Sequence, residues 1–281
     1  MTDRYAVFGN PVAHSRSPAI HAAFALQTGQ DMSYEAILAP LDGFAAALSA
    51  FAAAGGRGAN VTLPFKREAW RLADLRSTRA EAAGAVNTVR FDATGMFGDN
   101  TDGAGLIADV CGNLGFPLAG RSVLVIGAGG AARGALLPLI EQSPGRLVIA
   151  NRNLRRAESL ADEFSRKLPA QPSGIRLEAK ALDALGSRPY DLVIDATSAG
   201  LAGERLPLPQ RLFSRDSLAY SMIYGPAAAG FLGLARMRGA ARCADGLGML
   251  VEQAAESFRV WRGLRPETAP VIARLRAECA A

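Results

Sequence analysis

Ser122-Val-Leu-Val-Ile-Gly127-Ala-Gly129-Gly-Ala-Ala132-Arg-Gly134, with Leu147-Val-Ile-Ala150-Asn151-Arg152 after it, decides the fold of this chain. An apolar run that ends in G-x-G-x-x-A and opens a helix is the dinucleotide-binding turn. Gly127 makes the bend, Gly129 lets backbone N–H groups approach a pyrophosphate, and Ala132 allows helix and strand to pack closely. The helix N-terminus then receives the phosphates. At the tip of the second strand, where an NAD site places a carboxylate against the ribose hydroxyl, the chain has Asn151-Arg152, with Arg155 and Arg156 behind. Guanidinium groups bind a 2′-phosphate that a carboxylate would repel, so the expected cofactor is NADP.

The turn lies in mid-chain. Five strands are expected around it, at Ser122–Ile126, Arg146–Ala150, Ile175–Glu178, Asp191–Asp195 and Leu218–Met222, forming a doubly wound parallel sheet of the Rossmann type. Ahead of it, strands at Tyr5–Gly9, Ser33–Leu38, Gly58–Val61, Ala85–Phe91 and Met96–Asp99 alternate with helices at Ser17–Thr28, Leu41–Ala54 and Pro64–Leu75. A helix from Asp102 to Leu114 leads into the nucleotide region, and helices at Leu247–Trp261 and Pro266–Cys279 close the chain. The expected organisation is two α/β domains around a cleft. Residues 1–102 form a substrate-binding domain, 103–246 the NADP domain, and 247–281 return to pack on the first. The cleft is then the default substrate site.

Composition narrows the function. The chain has 281 residues, 49% of them hydrophobic, enough for two cores. Its net charge of +5 is spread as dispersed arginines among acidic residues, which points to anionic small molecules and away from nucleic acid. Cys111, Cys243 and Cys279 are odd in number and have no metal or C-x-x-C spacing. They read as reduced thiols of a cytoplasmic protein. No apolar leader follows Met1, and the uncharged stretch Ser217–Ala235 is broken by Gly225-Pro226, Gly230 and Gly233, so a strand, a turn and a helix fit it better than a membrane span. With only His14 and His21 present, no metal site is expected. His14 is read as shaping a serine loop, His21 as lying on a helix surface, and Trp70, Tyr190 and Trp261 as packing.

Polar clusters stand where turns should border the cleft: Asn10 to Pro18, Asn60 to Lys66, Gly84 to Thr88 and Gly98 to Gly103. Their Ser, Asn and Thr side chains suit a ligand with several hydroxyls. Each also has a local reading, such as Ser17 as an N-cap before Pro18, or Asp102 or Thr101 capping the helix that follows.

Taken in order, these clusters resemble the shikimate dehydrogenase family. The likeness is carried by H-S-x-S-P at His14–Pro18, A-N-V-T-x-P-x-K at Ala59–Lys66, G-A-V-N-T at Gly84–Thr88 and G-x-N-T-D-x-x-G at Gly98–Gly105. The G-A-G-G-A-A turn, N-R-x-x-x-R at Asn151–Arg156 and D-G-x-G-M-L-x-x-Q at Asp245–Gln253 complete it. The resemblance implies reversible NADP-dependent reduction of 3-dehydroshikimate to shikimate, a step of chorismate and aromatic amino acid biosynthesis. It makes Lys66 and Asp102 the catalytic pair, and with them Ser15, Ser17, Asn60, Thr62, Asn87, Tyr224 and Gln253 the shikimate contacts. Gly127, Ala128, Gly129, Gly130, Ala131, Asn151, Arg152, Arg156, Met222 and Gly246 would line the NADP site.

Oxidising a secondary alcohol needs a base for the hydroxyl proton as hydride leaves. A lysine in water holds its proton well past neutrality and a neighbouring carboxylate strengthens that hold, so a dyad that shares and orients the proton is expected. Ser221 and Ala199 depart from the family pattern on the nicotinamide side. Two alternatives remain open: a quinate/shikimate dehydrogenase with broader substrate or NAD use, and a non-catalytic NADPH-binding sensor. Oligomeric state, a homodimer included, is not legible in the residues.

Overall fold

The computed structural model describes residues 2–167, 175–186, 188–200, 202, 204 and 206–280. They fall into two compact units, Met1–Gly105 together with Leu250–Ala281, and Leu106–Met249. The first unit is therefore discontinuous in sequence.

The first unit carries β1 (Asp3–Gly9), α1 (Ser17–Thr28), β2 (Met32–Leu38), α2 (Phe44–Ala53), β3 (Gly56–Val61), α3 (Lys66–Leu72), β4 (Leu75–Arg76), α4 (Thr78–Ala83), β5 (Thr88–Asp92) and β6 (Gly95–Asp99). Its sheet runs β2-β1-β3-β5-β6-β4. The β1 strand is parallel to β2 and β3, and β5 is antiparallel to β3 and β6. Phe8, Phe44, Phe51 and Phe65 fill the core under this sheet, with Phe44 and Phe65 stacked at 4.7 Å. Aromatic pairs of this kind add to the burial of their own surface.

The helix expected over Asp102–Leu114 is α-helical only as α5 (Asp102–Ile107) and widens to a π-helix over Ala108–Asn113. The second unit continues with β7 (Ser122–Ile126), α6 (Gly130–Glu141), β8 (Arg146–Asn151), α7 (Leu154–Lys167), β9 (Arg176–Ala181), β10 (Tyr190–Asp195), β11 (Phe213–Ser221), α8 (Ala229–Met237) and β12 (Arg242–Ala244). Its sheet, β12-β11-β10-β7-β8-β9, is parallel throughout. The chain runs outward from β7 to β8 and β9, then crosses back to β10 beside β7. That reversal is the switch point at which doubly wound sheets open a crevice at their carboxyl ends. Val123 to Ile126 and Leu147 to Ala150 are buried without alternation, as a sheet covered on both faces requires.

Under β11 the π-helical turn buries Asp109, which accepts a 2.7 Å bond from the Tyr220 hydroxyl and a 3.0 Å bond from Asn113 Nδ2. Burial, then the charge of Asp109, pushes the Tyr220 hydroxyl well above its ordinary pKa. The uncharged stretch Ser217–Ala235 runs through β11, a 3₁₀ turn at Gly225–Ala228 and α8. Among the described residues no helix is long and apolar enough to cross a membrane. Two helices, α9 (Leu247–Arg262) and α10 (Ala269–Ala280), complete the described elements.

Several local expectations need correcting. The strand expected over Ala85–Phe91 spans Thr88–Asp92, that over Leu218–Met222 spans Phe213–Ser221, and the closing helix expected from Pro266 begins at Ala269. The helices expected from Leu41 and Pro64 begin at Phe44 and Lys66, because Gly43 and Phe65 hold the preceding cap positions. Ser17 is not an N-cap: Arg16 holds that place without a side-chain cap, and Ser17 is already helical. His21 is not on a surface. It is fully buried, stacked on Tyr34 at 4.3 Å and bordered by Phe24, Phe258 and Trp261. Helix α1 turns Ser17 and His21, four residues apart, to the same covered face.

Candidate active site

In the first unit Lys66 opens α3 and Asp102 opens α5. Lys66 Nζ donates to Asp102 Oδ2 at 2.6 Å, with side chains 27% and 17% exposed, so the pair is reachable by a solute yet largely shielded. The other carboxylate oxygen, Oδ1, accepts from Asn87 Nδ2 at 2.8 Å. Asn87 cannot turn over. Its Oδ1 accepts the Thr101 backbone N–H at 2.8 Å, a group that only donates, which commits Nδ2 to Asp102, Thr101 Oγ1 and Gln253 Oε1.

A second amide lies beneath. Asn60 Nδ2 donates to Asn87 O, Thr88 Oγ1 and Ser257 Oγ, and its Oδ1 accepts the Tyr34 hydroxyl at 2.7 Å. Thr88, Thr101 and Ser257 join the two amides through hydroxyl contacts of 2.7–3.3 Å. Burial pushes the Tyr34 phenol well up, against a hydrogen bond with Ser17. Ser15 Oγ in turn accepts the Ser17 N–H. Beside Tyr34, both ring nitrogens of His21 are buried with no partner within hydrogen-bond distance among the described residues, and burial lowers its pKa to about 3 against a smaller opposing contribution from the Asn60 amide. Thr62 lies at the end of β3, where its methyl occupies the space that a side chain at Gly9 would need. His14 is exposed, and Trp261 both packs on Tyr5 and donates its indole N–H to Val89 O.

The structure thus gathers Lys66, Asp102, Asn87, Asn60 and Gln253 into one hydrogen-bonded cluster, with Ser17 and Ser15 linked to it through Tyr34. Tyr224 lies in the second unit, directly before the 3₁₀ turn. Ser257 was missed in the sequence, although it follows Gln253 by four residues on an expected helix and so shares its face.

In the second unit the turn after β7 has the form that the sequence calls for. Gly127 adopts φ +113°, and a side chain there would meet Ala196 O at 2.9 Å, so only glycine fits. Around Gly129 and Gly130 there is open space, and Ala132 is fully buried. The first turn of the twelve-residue α6 therefore offers its N–H groups to a phosphate. Ala128 and Ala131 flank it. Asn151 ends β8 with Nδ2 on Asn153 O. Arg152 is 71% exposed and pairs with Glu204 at 2.6 Å, while Arg156 is exposed on α7. Met222 and Gly246 meet: a side chain at Gly246 would strike Met222 O at 2.6 Å. Ser221 supports this loop by accepting the Ile223 N–H. An open glycine turn with exposed arginines at the adjoining strand tip fits a dinucleotide with a 2′-phosphate.

Comparison with known proteins gives the family. Family models described as shikimate dehydrogenase substrate binding domain, shikimate / quinate 5-dehydrogenase and shikimate 5′-dehydrogenase C-terminal domain match residues 7–89, 112–201 and 246–276. A protein of Dechloromonas aromatica (strain RCB) named shikimate dehydrogenase (NADP(+)) is 57% identical over 281 residues, covering 100% of each chain. Among solved structures, an Ael1 enzyme from Pseudomonas putida is 46% identical with a TM-score of 0.91, covering 98% of both chains. Shikimate 5-dehydrogenase from Thermus thermophilus, in complex with NADP(H) and shikimate, is 35% identical with a TM-score of 0.84, covering 98% of this chain and 99% of that one. The chain belongs to the shikimate dehydrogenase family.

Proposed function

We propose that the chain catalyses the reversible NADP-dependent interconversion of shikimate and 3-dehydroshikimate, and that Lys66 and Asp102 handle the proton. The observation that carries this reading is the 2.6 Å Lys66–Asp102 pair, framed by Asn87, in a unit separate from a well-formed dinucleotide turn. Bound NADPH would supply the hydride for reduction and NADP+ would accept it in oxidation; Gly127 to Ala131 would cradle the pyrophosphate, and Asn151, Arg152 and Arg156 the adenosine phosphate.

In the direction of reduction, Lys66 Nζ donates a hydrogen bond to the ketone oxygen and yields its proton as that oxygen becomes an alkoxide. In oxidation the hydroxyl proton returns to the pair. Asp102 holds Nζ in place through Oδ2, while Asn87 fixes Oδ1, so the carboxylate cannot rotate away from the lysine. Ser15, Ser17, Thr62, Gln253 and Tyr224 are assigned to the hydroxyls and carboxylate of the substrate. Asn60 takes a narrower part, because its Nδ2 protons are already placed and its Oδ1 already accepts the Tyr34 hydroxyl. The three free thiols support a reducing, cytoplasmic setting.

The test crosses shikimate or quinate with NADP or NAD in initial-rate measurements. Shikimate with NADP is expected to be the fastest combination; absence of shikimate-dependent NADPH formation at mildly alkaline pH would overturn the reading. Binding of NADPH with no turnover would instead favour the sensor. Lys66→Ala is expected to lower kcat by about 10²- to 10⁴-fold, the range for a positioned acid-base group, and a near-unchanged rate removes Lys66 from that role.

A further inference from the structure

Behind the polar cluster, and sharing no side-chain hydrogen bond with the side chains assigned to the substrate among the described residues, lies a buried ion-pair network within the first unit. Its centre is Arg79 on α4. Nε and Nη2 of Arg79 donate to Asp99 Oδ1 and Oδ2 at 2.7 and 2.5 Å, and Nη2 also donates to Glu256 Oε1 at 2.7 Å. Both carboxylates are buried. Burial alone would lower the basicity of Arg79, but Asp99 and then Glu256 raise it well above its ordinary value. Glu256 is held at about 2: burial acts to raise it, and hydrogen bonds from Arg259 and Arg79 prevail.

The two carboxylates sit at informative places. Asp99 ends β6, and its Oδ1 also accepts the Asn100 N–H at 2.7 Å and the Ser77 hydroxyl. It thereby starts the turn in which Asn100 Oδ1 accepts the Asp102 N–H and Thr101 N–H locks Asn87. Glu256 lies on α9 between Gln253 and Ser257. A single guanidinium therefore bonds the base of the Asp102 turn and the helix that delivers Gln253. The two segments meet at Asn87, where Gln253 Oε1 lies 3.2 Å from Nδ2 and 3.3 Å from Thr101 Oγ1.

The two sides of this tie are unequal. Without Arg79, Glu256 keeps Arg259 and Arg265. Among the described residues Asp99 keeps only the neutral donors Ser77 Oγ and Asn100 N–H. A buried carboxylate stripped of its cation is strongly unfavourable, so the turn must shift toward solvent.

We propose that Arg79 is a positioning residue for shikimate binding, holding the Asn100–Asp102 turn and α9 at the separation that lets Gln253 face the ligand. The proposal rests on the shikimate reading above. It predicts an effect on substrate affinity that a residue serving stability alone would not produce.

The experiment measures KM for shikimate, KM for NADP, kcat and thermal midpoint in Arg79→Met and Arg79→Lys, each alone and combined with Gln253→Ala. Expected is a rise in shikimate KM of about fivefold to tenfold in Arg79→Met, the loss of roughly one hydrogen bond, with NADP KM unchanged. In the Gln253→Ala background the same substitution should add less than about twofold, because acting through a shared group makes effects non-additive. Arg79→Lys, which keeps the charge but not the three-way geometry, should fall between. Wild-type shikimate KM in folded Arg79 variants, or an undiminished effect beside Gln253→Ala, overturns the proposal. If Arg79→Met does not fold, Glu256→Gln, which preserves shape and weakens one arm, gives the same decision by the same coupling to Gln253→Ala. A wild-type enzyme without shikimate turnover would refute the functional reading itself, a different outcome from unaltered KM in an active enzyme.

Discussion

His21 offers a direct test of how burial governs stability. Its imidazole is fully buried against Tyr34, Phe24, Phe258 and Trp261, with neither nitrogen within hydrogen-bond distance of a partner among the described residues, and its pKa is lowered to about 3 chiefly by burial. The folded state therefore keeps His21 neutral, whereas the unfolded chain takes up a proton near pH 6.5. A group whose folded pKa is depressed in this way contributes stability that is complete above the unfolded value and declines as pH falls toward the folded one. Between those limits the unfolded state binds more protons, so stability rises with pH. From the two values, the loss is about 1 kcal/mol at pH 5.5 and about 3 kcal/mol at pH 4.5, relative to pH 8. Both tryptophans, Trp70 and Trp261, belong to the first unit, so their fluorescence during urea unfolding reports on the unit that contains His21. His21→Phe removes the titration and the two orphaned nitrogens while keeping a flat ring in the aromatic cluster. The variant should match or exceed wild type at pH 8, and its advantage should widen by about 2–3 kcal/mol at pH 4.5. Parallel stability profiles for the two proteins would refute the reasoning, because other groups such as Glu256 titrate in both and cancel.

Two further predictions concern the second unit. Arg152→Ser should raise KM for NADP by about tenfold, the scale of one charge-assisted contact to a phosphate, and leave KM for NAD unchanged; equal shifts for both cofactors would remove Arg152 from the 2′-phosphate. Tyr220→Phe deprives the buried Asp109 carboxylate of its 2.7 Å hydroxyl donor and should lower unfolding stability by about 1–3 kcal/mol, read as a drop in denaturation midpoint, with shikimate KM unchanged. A midpoint equal to that of wild type would mean that the hydroxyl contributes nothing net.

The nucleotide unit was the more legible half, because its signals are local. Uninterrupted apolar runs mark buried parallel strands, and the glycine spacing marks a turn whose backbone only glycine can adopt. Ser122–Ile126 has the same bounds in sequence and structure for that reason. The side chains of the first unit were harder to place, because their meaning depends on partners far away in the chain. Ser257 is an ordinary helical serine until β3 brings Asn60 to it, and Glu256 an ordinary surface-type residue until Arg79 covers it. His21 shows the same limit: on a helix with many small apolar residues, nothing local distinguishes a buried imidazole from an exposed one. The π-helical widening after Ile107 also has no sequence mark, since it answers to the burial of Asp109 beneath Tyr220.

The discontinuity of the first unit sets the order in which the protein can be completed on the ribosome. The second unit is a single stretch of chain and has all its strands once Met249 has been added. The first unit emerges earlier but lacks α9, so Asn60 and Thr88 have no Ser257, Asn87 has no Gln253, and Arg79 has only one of its two carboxylates until the segment after Met249 appears. Domains generally form as units during synthesis, which here places the nucleotide-type sheet ahead of the polar cluster. A nascent or prematurely ended chain would thus hold Lys66 and Asp102 before it holds the helix that frames them, and the segment made after the nucleotide unit is the one that finishes the polar cluster.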